Sequence, residues 1–469
     1  MTEQVDVVVL GLGTGGEEIG GRLAMAGLDV VGIEPELIGG ECAYWACLPT
    51  KMMIRAANLL AEARRVNEMS GRAEVTPDWS RVAARVREQV TGGWDDSMAA
   101  ARFEGRGGTL VRGRGRFMGP RTVSVGDRTF AAERGVVIAT GSVPRIPQIP
   151  GLDEVDFWTN RDAIQVEELP ASLLILGGGA IGCELGQVFS RFGVDVTIVE
   201  AGDRLLRSEE PEASEVIASV FDAEGIRVRT GSRAERVASR NGSVVATLGT
   251  GEELTAEALL VAVGRVVHAD GLGLEEAGVA LSNGSIEVDE HMRAADGVWA
   301  MGDVTGQGMF SHMALFQAPI VEAGILGRTP PSAESSSRTR GTFTDPEIGT
   351  VGLTEDEARA EGRDVVVKVK QVPATFRGWL HGPGNEGVIK LIADRGTGTL
   401  VGATAVGPRG GDVLGFLAAA VHARIPIEEL RRMIFAFPSF YAGVGEAIGA
   451  YARALVQVLD PDAEPFLDV

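Results

Sequence analysis

Positive charge is in short supply: 44 lysines and arginines face 65 aspartates and glutamates, so the 469-residue chain carries a formal charge of −21. A surface of that sign repels phosphate backbones and anionic lipid, which argues against nucleic acid and membrane as partners. Long apolar runs are missing as well. No stretch approaches the roughly 18 residues of a membrane span, and the start at Met1 lacks the positive region of a signal peptide, so a soluble, cytoplasmic protein is expected. Cysteine is scarce, with Cys42, Cys47 and Cys183 the whole set. Three are too few to staple a secreted fold, so a close pair among them is expected to be catalytic rather than structural. What remains is ample for burial. With 45% hydrophobic residues and about 100–200 residues per domain, roughly three domains are expected.

The most informative feature is an internal repeat. Val7 to Glu34 (VVVLGLGTGGEEIGGRLAMAGLDVVGIE) aligns without gaps to Leu173 to Glu200 (LLILGGGAIGCELGQVFSRFGVDVTIVE). Each copy has an apolar strand-type run, G-x-G-x-x-G, an amphipathic helix, a second β-rich run and a terminal glutamate. The acid lies 23 residues past the first glycine in both copies, close to the offset of a dinucleotide fold. In such a fold Gly11 and Gly177 make the tight turn, Gly13 and Gly179 let the backbone approach a pyrophosphate, and Gly16 and Gly182 let helix pack on strand. The helix N-terminus offers free amides to the pyrophosphate. Glu34 and Glu200 are placed to accept ribose hydroxyls, and a glutamate there disfavours the 2′-phosphate of NADP. Two copies imply two dinucleotides.

Between the copies lies Gly39-Gly-Glu-Cys42-Ala-Tyr-Trp-Ala-Cys47-Leu-Pro-Thr-Lys51, leading into a helical pattern over Met52 to Val66. Cysteines five apart at a helix start can meet in a disulfide, and the helix dipole lowers the pKa of a nearby thiol. Gly135 to Ser142 and Leu259 to Arg265 read as buried strands ending in glycine turns, with a third strand end at Trp299 to Asp303. A Pro- and Ser-rich linker is expected at Thr329 to Arg340, followed by a strand-and-helix region to the C-terminus.

These segments together resemble the pyridine nucleotide–disulfide oxidoreductases of the dihydrolipoamide dehydrogenase, glutathione reductase and mercuric reductase group. The matching stretches are GLGTGG, GGECAYWACLPTK, ATGS at 139–142, GGGAIGCELG, AVGR at 262–265, GDVTG at 302–306 and FTDPEIGTVGLTE at 343–355. The resemblance implies an α/β chain with two Rossmann-like dinucleotide-binding domains and a C-terminal α+β dimerisation domain. FAD binding falls to residues 1–150 and 268–328, NAD(P)H binding to 151–267, and dimerisation to 341–469. By the same resemblance FAD meets Gly115, Thr140, Gly141, Asp303, Ala314 and Lys51, and the nicotinamide cofactor, NADH in preference to NADPH, also meets Gly264. Cys47 is then the flavin-side sulfur that carries a thiolate, Cys42 attacks substrate, and Lys51 pairs with Glu184. No metal site is implied.

One departure bears on the chemistry. Disulfide reductases of this family carry a His-Pro near the C-terminus, followed by a Glu, to move protons at the thiols; here Phe437 and Ala442 occupy those positions, and no histidine follows His422. A positioned acid–base contributes about 10²–10⁴ in rate, so ordinary disulfide reduction is expected to be slow. The family reading is thus a homodimeric flavoenzyme passing electrons to a small disulfide or other electrophilic acceptor, with the C-terminal segment of one subunit setting Phe437 against the partner's Cys42. The alternatives are reduction of a quinone or metal ion, a reaction like that of ketopropyl coenzyme M carboxylase, which also places Phe at the His position, or a non-catalytic redox-sensing flavoprotein. The mercuric reading lacks that group's additional C-terminal cysteine pair. Cys183, His312, Tyr44, Trp45 and Tyr441 are read chiefly as structural, although Tyr44 and Trp45 are placed to wall a substrate and Tyr441 to donate a proton.

Overall fold

A computed structural model describes residues 1–333 and 337–459. Part of the expected linker and the terminal Asp-Ala-Glu-Pro-Phe-Leu-Asp-Val lie outside the described residues. The N-terminal strand Thr2–Leu10 sits centrally in an eight-stranded sheet, parallel to Val30–Glu34 on one side and Arg128–Ile138 on the other. Val7 to Leu10 are buried on both faces, the pattern of a strand covered by helices above and below. Helix α1 (Thr14–Met25) leaves the end of the first strand. Helix α2 (Cys47–Met69) starts five residues earlier than the apolar periodicity suggests. The helix absorbs Pro49 without penalty, because the first turn has no i−4 carbonyl to lose.

Residues Ser172–Leu176, Asp195–Val199, Arg227–Arg229 and Ala258–Val261 form a second parallel sheet. Helix α3 (Ala180–Arg191) follows its first strand and helix α4 (Pro211–Ala223) crosses after its second. The two repeat units fold alike, each with a 12-residue helix and a five-residue second strand. A three-stranded antiparallel sheet, Ala234–Arg240, Ser243–Leu248 and Glu253–Ala256, covers this unit. The chain then returns to the first sheet. Val298–Ala300 pairs in parallel with Arg128–Ile138, and helix α5 (Ser311–Ile325) lies on α1. The close approach is made by Gly15, where an added Cβ would stand 2.8 Å from that of Ala314.

From Thr339 the chain builds a third unit, a five-stranded antiparallel sheet in the order 339–342, 347–352, 399–407, 388–394, 365–371. Helix α6 (Phe376–His381) caps one end, while α7 (Gly410–His422) and α8 (Ala442–Leu459) cover the sheet. Among the described residues no helix is long and apolar enough to cross a membrane.

Candidate active site

The two glycine loops show why each glycine is needed. A Cβ on Gly11, whose φ is +87°, would lie 2.6 Å from the Ala139 carbonyl oxygen, and one on Gly16 would lie 1.9 Å from that of Gly11. The second copy repeats this, with 2.3 Å at Gly177 from Ala262 and 2.0 Å at Gly182 from Gly177. Gly13 and Gly179 are different: nothing stands within 4 Å of their Cβ positions, so the approach to the helix N-terminus is open. Such a cradle, glycine-lined at the carboxyl end of a parallel strand with free amides beyond, fits a pyrophosphate. Each terminal glutamate is fixed the same way. Glu34 accepts the N–H groups of Leu12 (2.7 Å) and Glu36 (2.9 Å), and Glu200 those of Gly178 (2.7 Å) and Gly202 (2.6 Å). Each carboxylate retains acceptor capacity for a ribose diol. Burial pushes the Glu34 carboxyl above its usual range.

The remaining candidates are held by hydrogen bonds or by packing. Asp303 accepts a 2.5 Å hydrogen bond from the Ser142 hydroxyl, whose oxygen also accepts from Arg265 at 2.8 Å, and desolvation raises the aspartate. Thr140 donates to the His268 carbonyl at 2.6 Å, and Gly141, at φ +71°, carries the carbonyl that receives the His268 N–H. Gly264, at φ +114°, accepts from the Arg145 N–H. Gly115 is held by packing, since a Cβ there would stand 2.4 Å from Leu10 Cδ2.

Cys42 lies on a short helix (Gly40–Tyr44) and Cys47 is the first residue of α2. Both are free thiols, and the Cys47 sulfur is 3.5 Å from the Ser311 hydroxyl. The hydrogen bond from Cys47 is the chief cause that lowers Cys42 to about 6; Ser311, Thr14 and the Lys51 charge help, against desolvation. Cys47 moves the other way, because its proton is held by Cys42 and its charge would be buried beside a second thiolate. In the free dithiol the two shifts are therefore opposite in direction. One turn along α2, Lys51 reaches Glu184 at 2.8 Å. The other Glu184 oxygen accepts the Phe343 N–H at 2.8 Å, and the ammonium lies 4.7 Å from the centre of the Phe343 ring.

Glu184 opens a polar stripe that the sequence reading missed. Gln187 and Arg191 follow at one-turn spacings on the buried face of α3. Gln187 exchanges two 2.8 Å hydrogen bonds with the Asp345 backbone, and the Arg191 guanidinium binds Asp345 (2.8 Å), Glu224 (2.5 Å) and Asn58 (2.7 Å). The only sequence signal was polar residues where an amphipathic helix should be apolar.

The C-terminal candidates stand apart from the thiols within the chain. Phe437 is 68% exposed and meets Phe376 edge-on at 5.1 Å. Ala442 begins α8, and the Tyr441 hydroxyl accepts the Ala436 N–H at 2.7 Å, a structural use. Cys183 is fully buried, donates to the Gly178 carbonyl and is raised by desolvation. His312 is exposed, 2.9 Å from the Thr339 carbonyl oxygen and stacked on Phe310. Tyr44 is buried, while Trp45 stacks on Trp94 at 5.8 Å with Arg161 over its ring.

Comparison with known proteins identifies the family. The pyridine nucleotide-disulphide oxidoreductase family matches residues 5–318, and its dimerisation domain matches 339–448. The chain is 32% identical to a dihydrolipoyl dehydrogenase of Thermus scotoductus, over 97% of this chain and 99% of that one. It is also 32% identical to a mercuric reductase of Acidithiobacillus ferrooxidans, over 97% and 84%. Among solved structures, the HOCl-induced flavoprotein disulfide reductase RclA from Escherichia coli superposes with a TM-score of 0.84 at 27% identity, covering 95% of this chain and 99% of that one. The chain belongs to the pyridine nucleotide-disulphide oxidoreductases, enzymes that depend on FAD and NAD(P).

Proposed function

We propose that this enzyme, as a homodimer, takes two electrons from NADH and delivers them through Cys42 and Cys47 to a small electrophilic acceptor whose reduction needs no proton from an imidazole. The observation that carries this reading is a split in the site: the dithiol with its Lys51–Glu184 pair is retained, while Phe437 stands where a proton donor is expected. FAD supplies the step from a hydride donor to a disulfide. The chain's own residues do the rest. The first glycine loop and Glu34 hold one dinucleotide, and the second with Glu200 holds NADH, its carboxylate disfavouring a 2′-phosphate.

Two electrons and one proton convert the disulfide to one thiolate and one thiol. Lys51 and the helix N-terminus at Cys47 favour that charge. A phenyl ring at 437 moves no proton, so an acceptor that leaves as a stable anion loses least. Anaerobic titration with NADH, and NADPH in parallel, tests the reading through the flavin spectrum. A long-wavelength charge-transfer band at the two-electron stage is expected. Bleaching without that band would turn the reading toward an acceptor reduced at the flavin itself, such as a quinone, and no reduction by either nucleotide would refute it.

A further inference from the structure

The N-termini of two helices meet at the sulfurs: α2 brings Cys47 and α5 brings Ser311. Two positive helix ends favour a negative charge on a sulfur there. Serine at the start of a helix ordinarily spends its hydroxyl on a backbone N–H. Here the N-cap position is Phe310, which offers no side-chain cap, and Ser311, one residue on, turns its hydroxyl to the sulfurs.

We propose that Ser311 is a positioning residue for the dithiol: its hydroxyl, 3.5 Å from the Cys47 sulfur, donates to that sulfur when it carries the thiolate of the reduced pair. The hydroxyl keeps its proton throughout; it holds the charge in place and supplies nothing to the acceptor. That role suits a site in which residue 437 is phenylalanine, because a reduced pair without an imidazolium needs another partner for its charge. Cys183 gives the contrast within the same chain. Its thiol has a backbone carbonyl as partner and no hydroxyl, and burial raises it. The proposal rests on reading Cys42 and Cys47 as the redox pair, and the experiment separates the two ideas.

The test uses the reduced, FAD-loaded protein and follows alkylation of each cysteine by iodoacetamide against pH, resolved by peptide mass spectrometry. A hydrogen bond to a charged sulfur is worth about ten- to a hundredfold in thiolate population. Ser311→Ala should therefore slow alkylation of the pair by about that factor at pH 6, and Ser311→Thr, which keeps the hydroxyl, should stay close to the unsubstituted enzyme. Alanine is well tolerated in a helix, so the variant is expected to fold. Superimposable profiles for Ser311→Ala and the unsubstituted enzyme would overturn the proposal. So would an equal loss in the threonine variant, which would mark a packing effect. Mild oxidation of the same samples reads the underlying assumption. A profile that shifts while no Cys42–Cys47 disulfide forms would keep Ser311 as a thiolate donor and sink the redox reading instead.

Discussion

Arg191 makes the sharpest quantitative test of how the three units are joined. Its side chain is 2% exposed, and it ties α3 of the second unit to Asn58 on α2 and to Asp345 at the start of the third. Arg191→Met keeps most of the aliphatic stem and removes the charge. Breaking a buried pair on one side costs about 3–5 kcal/mol when the other charge is stranded. Here it is only partly stranded: Asp345 keeps Arg65 at 3.0 Å, and Glu224, 22% exposed, can be rehydrated. The expected local cost is therefore about 2–3 kcal/mol. A three-unit protein has no single unfolding free energy, so the assay is amide hydrogen exchange at Phe343 and Asp345, whose N–H groups bond to Glu184 and Gln187. Exchange there should accelerate roughly 30- to 150-fold. Glu184→Gln is the comparator. It keeps an acceptor for the Phe343 N–H, and Lys51, 35% exposed, is readily rehydrated, so its effect should stay under about 1 kcal/mol. Unchanged exchange in Arg191→Met, or a uniform rise across the whole chain, would refute the junction argument.

Other outcomes follow from the same geometry. Phe437→His with Ala442→Glu should raise turnover of lipoamide or small disulfides, up to about 10²–10⁴-fold; steady-state kinetics showing no gain would mean that protonation is not what limits the enzyme. The Cys42 thiol, lowered to about 6 by its hydrogen bond from Cys47, should already be reactive near pH 6.5. Its folded-state pKa lies below the unfolded value of about 8.5, so its stabilisation of the reduced protein is present above that value. Stability should fall as pH drops toward 6, and a melting temperature of the reduced protein flat across this window would contradict the sign. Lys390 is 3% exposed and holds Glu210, itself 2% exposed, at 2.8 Å, with Glu212 and Glu355 at 2.9 Å. Lys390→Met strands Glu210, and a local loss of about 3–5 kcal/mol is expected, read as faster amide exchange at Glu355, whose N–H bonds to Glu210; unchanged exchange there would show that Glu210 is neutralised by other means.

Much of this was legible in the sequence because it is local. A glycine at 11 or 177 is dictated by a positive φ, which acts within a single strand–turn–helix unit, while the carbonyl too close for any Cβ comes from Ala139 or Ala262 at the end of a neighbouring strand. The repeated unit, the acid at its end and the cysteines at a helix start could therefore be read from spacing alone. The helix start at Cys47 was misplaced for an equally local reason: apolar periodicity is silent in a first turn that contains proline. Tertiary structure decided what spacing cannot express. Which residues face Lys51 depends on α3 packing against α2, and Gln187, Arg191 and Asp345 become partners only because the third unit docks where those helices cross. Ser311 acquires a sulfur as neighbour from a position 264 residues away in sequence. The sign of each thiol's shift belongs to the pair and its surroundings, since a thiolate is stabilised or opposed by whatever donors and charges the fold brings within a few ångströms.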